Sequence, residues 1–455
     1  MVKLLVDIGS TFTKVVAVNL DTLEIVSRAQ APSTVEEDVT IGLRKAFNEI
    51  GKEVDISRLQ PGDVLACSSA AGGLRVVSIG FVPELSCDAA TQAALGAGAK
   101  IVGHYSYELT RQELSEIEEL SPDIVLLAGG TDGGDRRVIV HNGTMLASSA
   151  NSKPWILMAG NKAAQDDLKK IFQAAGRDVR FTNNIMPDIG MLSVDRCQKE
   201  IARIFLENII EAKGIAKVKA MSSGILMPTP VAVLNAARLL SEGIRSDGFG
   251  ELVVVDVGGA TTDVHSIASG SPPSGVIALG MLPELYVKRT VEGDLGVRYN
   301  IDTLVQLGED RGILAQGAFK REMKKFSSAG TLPENEIESD FDMMLASVAL
   351  DTAIERHAGK MDVVYGAAGK MLVQHGKNLT DVKCVIGTGG PIVFCRNPRR
   401  VLERASFSEE KPNNLKPKNP GFYLDERYIL YAAGLLAEVD AGKALGLMKK
   451  YVRQV

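Results

Sequence analysis

Two short stretches of this chain share one design. Asp7-Ile-Gly-Ser-Thr-Phe-Thr-Lys14 follows the apolar run Leu4-Leu5-Val6, and Asp256-Val-Gly-Gly-Ala-Thr-Thr-Asp263 follows Leu252-Val253-Val254-Val255. In both, an aspartate closes the run, a glycine opens a turn and small hydroxyl residues line it. Such a turn presents several backbone N–H groups in one direction, adds hydroxyl donors, and has no bulky side chain to hold a phosphate off. Asp7 and Asp256 supply acceptor-only oxygens suited to holding magnesium through its water shell. Lys14 can set a point charge against a β- or γ-phosphate. One such turn would more often serve only to reverse the chain, and it is the second copy that gives the phosphate reading its weight. A third glycine turn, Gly387-Thr-Gly-Gly-Pro391, follows the apolar run at 382–386 and offers a smooth surface for a purine or ribose.

The elements that must carry these turns can be read from the pattern. Each of the first two turns joins apolar runs into a β-hairpin, and a third extended segment follows each, at 27–32 and 275–279. The chain therefore holds a degenerate internal repeat, expected as two lobes at 1–245 and 246–455. Between the copies the rhythm changes. Strands at 124–128, 155–159 and 179–181 alternate with helical spacing at 162–175 and 191–212, the signature of parallel βαβ units. This predicts an α/β subdomain at about 100–215 inserted into the first lobe. Beyond the second turn the spacing predicts helices at 310–326, 337–356 and 360–376, a strand at 382–386, a surface loop at 411–420, and closing helices at 425–437 and 441–451.

Composition sets outer limits. At roughly 100–200 residues per domain, a chain of 455 residues has room for several cores. Fifty-one Lys+Arg against 56 Asp+Glu leave a formal charge of −5, no footprint for nucleic acid or anionic lipid. Five scattered cysteines without a close pair read as reduced thiols. The opening apolar run is cut by Asp7, so it does not read as a signal peptide, and the charge-free stretch 220–237 carries two prolines and an asparagine, a poor membrane span. The expectation is a soluble cytoplasmic protein. The 45 glycines exceed the average usage of about 7%.

Taken in order, the three turns resemble the phosphate-1, phosphate-2 and adenosine motifs of the actin, sugar-kinase and heat-shock-chaperone superfamily. Within it, the chain looks most similar to the MutL/GlmL-type accessory, or reactivating, proteins of adenosylcobalamin-dependent glutamate mutase. That resemblance also takes in Cys67-Ser-Ser-Ala-Ala-Gly-Gly-Leu74, Leu126-Leu-Ala-Gly-Gly-Thr-Asp-Gly-Gly134, Asn183-Asn-Ile-Met-Pro-Asp188 and Thr290-Val-Glu-Gly-Asp-Leu-Gly296. It implies two ribonuclease-H-like lobes around a Mg-ATP cleft, slow ATP hydrolysis, and a partner mutase from which damaged cobalamin is released. It implies that Asp7 and Asp256 organise magnesium and the attacking water. Gly9, Ser10, Thr11, Thr13 and Lys14 would hold one side of the phosphates, with Gly258, Gly259, Thr261 and Thr262 on the other and Gly389 and Gly390 facing the adenosine. A small-molecule kinase and a nucleotide-dependent scaffold stay open beside this reading.

Other motifs are weaker. Gly129-Gly-Thr-Asp-Gly-Gly134 reads first as a βα turn and second as an anion loop. Ala70-Ala-Gly-Gly73 reads equally as a packing turn and as a partner or nucleotide contact. Gly96-Ala-Gly-Ala99 lacks the last glycine of a dinucleotide fingerprint and Gly369-Lys370 the first of a P-loop. The five histidines have no metal-ligand spacing.

Overall fold

Apolar runs near the start of the chain become neighbouring strands: β1 (Val2–Ile8), β2 (Phe12–Asn19), β3 (Glu24–Pro32) and, after helix α1 (Val39–Ile50), β4 (Val64–Ser68). The computed structural model describes residues 1–34, 38–69, 74–149, 153–209, 218, 222, 225–326, 330–366 and 369–455. Leu4, Leu5, Val6 and Ile8 are at most 1% exposed. Strand β1 is therefore covered on both faces, each such side chain contributing about 1.5–3 kcal/mol of burial.

After β4 the chain enters a second compact unit, 71–210 together with 280–283. It runs β5 (Arg75–Gly80), α2 (Asp88–Gly96), β6 (Lys100–Ser106), α3 (Arg111–Leu120), β7 (Ile124–Leu127), α4 (Arg137–Ser148), β8 (Trp155–Met158), α5 (Gln165–Ala174), β9 (Val179–Phe181) and α6 (Asp195–Ile209). The sheet order is β6-β5-β7-β8-β9 with every pairing parallel. The unit takes in β5, upstream of the expected start near residue 100, because β5 lies between β6 and β7 in this sheet.

The chain rejoins the first sheet with β10 (Ile225–Pro228), followed by α7 (Thr229–Glu242). The order is β10-β4-β1-β2-β3, with β1/β2 and β2/β3 antiparallel and β1/β4 and β4/β10 parallel. The second copy then follows: β11 (Leu252–Val257), β12 (Thr262–Ile267), β13 (Val276–Ala278), β14 (Val287–Glu292), α8 (Ile301–Asp310), α9 (Lys320–Phe326), α10 (Glu336–His357), β15 (Lys360–Gly366), β16 (Gly369–His375), β17 (Cys384–Thr388), β18 (Gly421–Asp425), α11 (Leu430–Ala437), α12 (Ala441–Tyr451) and β19 (Val452–Gln454). Its main sheet, β14-β12-β11-β17-β18-β19, repeats the order and directions of the first, with β19 added at the edge. The fold is thus α/β, with two ribonuclease-H-like sheets and an α/β insertion between the fourth and fifth strands of the first. One core joins Leu5, Val16 and Cys67 of the first sheet, Val254 and Ile386 of the second, and the alanine-rich helices α7 and α11.

Several local expectations are corrected. In place of the expected helix at 360–376, β15 and β16 pair antiparallel, each a run rich in β-branched and other apolar residues. The third strand of the second copy is β14, not 275–279, whose β13 joins β16 in a small separate sheet. The expected helix at 310–326 is broken between α8 and α9, where Gly312 and Gly317 take positive φ of 65° and 69°. The expected helix at 425–437 starts only at Leu430, since Asp425 ends β18. The segment 70–73 and the end of the expected helix at 191–212 lie outside the described residues. Among the described residues no helix is long and apolar enough to cross a membrane.

Candidate functional site

Strand register places the two aspartates. β1 and β2 pair so that Asp7 stands opposite Lys14 and Ile8 opposite Thr13, leaving 9–12 as the turn. β11 and β12 pair so that Asp256 stands opposite Asp263 and Val257 opposite Thr262, leaving 258–261. The same hydrogen bond closes both turns: Gly9 N–H donates to the Phe12 carbonyl at 3.1 Å, and Gly258 N–H to the Thr261 carbonyl at 2.9 Å.

Both turns open onto one cavity of about 440 Å³. Asp7, Gly9, Ser10, Thr11 and Lys14 line it from the first hairpin, and Asp256, Gly258, Gly259 and Thr261 from the second. Gly390 lines it from the third turn. The two turns lie against each other, for a Cβ on Gly259 would stand 3.1 Å from Thr11 Oγ1. Gly389, at φ +91°, sits where a Cβ would be 2.7 Å from Asp256 Oδ1, so the third turn lies directly against that carboxylate. Thr13 and Thr262 do not line the cavity. Both are fully buried, with Thr13 Oγ1 3.2 Å from Ser33 Oγ and Thr262 Oγ1 donating to the Leu295 carbonyl at 2.8 Å. The pleat is the cause: each follows or precedes a cavity-facing residue on its strand and so points to the other side.

Charge in the site is unevenly shared. Lys14 Nζ donates to Asp7 Oδ2 at 2.8 Å and to the Tyr428 hydroxyl at 3.1 Å. Asp7 Oδ1 accepts from Thr229 Oγ1 at 2.6 Å, the first residue of α7. Burial alone would lower the Lys14 ammonium, but the Asp7 carboxylate and Tyr428 together hold it well above its ordinary range. The Asp256 carboxylate has no ion pair or hydrogen bond among the described residues. Burial, and then the Asp263 carboxylate opposite, push it up to about 7, with Asp7 and Asp425 adding to the effect and Lys14 opposing it. Asp263 is itself held by the buried guanidinium of Arg289 at 2.8 Å from Nε, and Asp342 by Arg298 at 2.5 Å. Cys67 lies against Asp7, and burial, then that carboxylate, push its thiol well up, leaving it a neutral packing group.

These residues fit a magnesium–nucleotide ligand on two counts. Asp256 is a carboxylate left without a cation. Thr11 Oγ1 is a buried hydroxyl without a hydrogen-bond partner among the described residues, beside Gly259 of the other turn. Thr229, Tyr428, Arg298 and Asp342 also line the cavity without having been expected there. Thr229 stands between two prolines at the start of α7, but nothing local ties it to Asp7, and Tyr428 is 414 residues from the lysine it touches. In the second unit, the Gly129–Gly134 loop follows β7 and is stitched by buried Asn161 and Asn184, which bond to its backbone, as a βα turn requires.

A family described as MutL protein matches residues 3–452. A relative named Protein MutL, from Clostridium tetanomorphum, is 44% identical over 469 residues, covering 99% of this chain and 99% of its own. Solved structures are more distant. A nucleotide-free acetone carboxylase is 12% identical with a TM-score of 0.40, covering 96% of this chain and 70% of its own. The activator of 2-hydroxyisocaproyl-CoA dehydratase from Clostridium difficile, with bound ADPNP, is 10% identical with a TM-score of 0.31, covering 99% and 98%.

Proposed function

The chain belongs to the MutL protein family, and on that premise we propose that it is a Mg-ATP-dependent, chaperone-like accessory protein acting in the cytoplasm on an adenosylcobalamin-dependent mutase. The client is glutamate mutase or a related aminomutase, and the work is release of damaged cobalamin from the inactivated enzyme. The observation that carries the nucleotide part is the pair of equivalent hairpins, whose aspartates and glycine turns open onto a single cavity.

In this reading the backbone N–H groups and hydroxyls of Ser10 and Thr11 hold the phosphates from one side, and those of Gly258, Gly259 and Thr261 from the other. Asp7 and Asp256 hold magnesium through its water shell, and the adenosine lies along Gly389 and Gly390. Magnesium, when bound, supplies charge neutralisation and orientation of the phosphates. Phosphoryl transfer to water needs mainly this positioning and electrostatics, so slow hydrolysis requires no further protein nucleophile. Nucleotide contacts made by both turns favour closure of the two lobes, 1–245 and 246–455, and loss of the γ-phosphate contacts withdraws that bias.

A kinase acting on a small molecule needs a free carboxylate as base for the acceptor hydroxyl. Asp7, Asp263 and Asp342 are each engaged by a cation, and Asp256 is assigned to magnesium, which weighs against that alternative. The deciding experiment adds the protein, Mg-ATP and intact cofactor to inactivated glutamate mutase. Recovery of turnover together with ATP hydrolysis is expected; hydrolysis without recovery would reject the client, and no hydrolysis would reject the nucleotide reading.

A further inference from the structure

A second cavity, of about 240 Å³, shares Lys14, Gln30, Phe394 and Tyr428 with the first. Its floor is one face of the first sheet, where Lys14 and Val16 of β2 stand opposite Gln30 and Arg28 of β3. Its walls include the rings of Phe394, Tyr428 and Tyr431.

Two groups here lack the partner their chemistry calls for. Arg28 is exposed, with its guanidinium 5.6 Å from the centroid of the Phe394 ring; among the described residues that guanidinium makes no ion pair or hydrogen bond, and it acts on the buried Asp425 carboxylate only through its field. Tyr431 is 2% exposed, yet its phenolic oxygen has no hydrogen-bond partner among the described residues. Burial, and then the nearby Asp7 carboxylate, hold that phenol well above its usual range, so it remains an O–H donor. The carboxylates closest to hand are already engaged. Asp7 accepts from Lys14 and Thr229. Asp425 accepts from the Thr388 hydroxyl and from the Ile429 and Leu430 N–H groups. A spare guanidinium and a spare hydroxyl donor, in a cavity that also holds one side of an ammonium, call for an acceptor bearing negative charge.

We propose that this cavity is a binding site for a small oxyanion of phosphate or carboxylate class, held by Arg28 and the Tyr431 hydroxyl and bordering the nucleotide cleft at Lys14. Its occupant comes either from solution or, if the nucleotide reading above holds, from the cleft as product phosphate.

Titration calorimetry with inorganic phosphate, in the absence of nucleotide, tests the site. Wild type should bind phosphate. Arg28→Gln should weaken that binding about 10-fold or more, the loss expected for a charge-assisted hydrogen bond, and Tyr431→Phe should weaken it less, while both keep wild-type affinity for a non-hydrolysable ATP analogue. Arg28 is exposed and outside the core, so the variant should keep its Tm. Unchanged phosphate affinity in Arg28→Gln overturns the proposal. So does phosphate binding that the ATP analogue abolishes and Arg28→Gln leaves alone, since that phosphate would sit in the cleft. A phosphate sensor in single turnover then separates the sources: altered release in Arg28→Gln supports product phosphate, and unaltered release with weakened titration supports an anion from solution. A protein that hydrolyses no ATP would still be decided by the titration.

Discussion

Lys14 and Asp263 occupy the same position in the two hairpins, each directly across the strand from the key aspartate, and carry opposite charge. The repeat is geometrically faithful and electrostatically inverted. Asp7 faces an ammonium at 2.8 Å, whereas Asp256 faces a carboxylate that Arg289 holds from behind. The first aspartate is therefore satisfied within the protein. The second is raised to about 7 and is the carboxylate that most needs an added cation.

Asp256→Asn is accordingly expected to abolish Mg-dependent ATP hydrolysis while leaving Tm unchanged or raised, because a buried like-charge contact is removed. Hydrolysis assays and a thermal melt of the same preparation check both halves. Normal hydrolysis would contradict the role given to Asp256.

Thr11→Val removes a buried hydroxyl that has no partner among the described residues and keeps the side-chain shape. Relieving an unsatisfied polar group should stabilise the free protein by up to about 1 kcal/mol, while nucleotide affinity falls by about 1 kcal/mol for the lost hydrogen bond. Denaturant unfolding and nucleotide titration should thus move in opposite directions. A parallel loss in both would mean that the hydroxyl serves the fold.

Lys14→Met leaves the Asp7 carboxylate buried without its cation and should cost about 3–5 kcal/mol. Combining it with Asp7→Asn should cost less than the sum of the two single changes, because neither partner is then stranded. A double-mutant cycle in urea measures that coupling, and additivity would show that the ion pair carries no interaction energy.

Acid should weaken the fold through its buried histidines. Burial, with the Arg289 cation adding, lowers His265 to about 3, and burial, then Lys288 and Lys377, lower His357 well below its usual range. The His357 ring nitrogens lie 2.8 Å from Thr290 Oγ1 and from Ser266 Oγ. Each folded value is depressed, so below about 6.5 the unfolded chain takes up protons that the fold refuses. The stability present above that pH is lost as pH falls, by about 1.4 kcal/mol per unit for each histidine. Asp256, raised to about 7, gives an opposite slope in the same window, so the histidine contribution is read as the difference between wild type and His265→Gln in urea midpoints between pH 7 and 5, which should narrow as pH falls.

The chemistry of the turns was legible because it is local. An apolar run ended by aspartate, then glycine and small hydroxyl residues, can be read within eight positions, and its recurrence at 256 pointed to a duplicated core before any strand was paired. The βαβ rhythm of 124–181 was legible for the same reason. Less local features were not. Strands β4 and β10, which complete the first sheet, are short apolar runs without alternation, and 360–375 carried an apolar spacing compatible with helix until strand pairing decided otherwise.

By itself, then, the sequence determined which residues could meet a phosphate and that they come in two sets. Only the tertiary structure decided which of them face the cavity. The pleat turned Thr13 and Thr262 away, and the chain's long returns brought Thr229 to Asp7 and Tyr428 to Lys14. The physical reason is that turn conformation is set by neighbours in sequence, whereas burial, register and electrostatic partnership are set by neighbours in space.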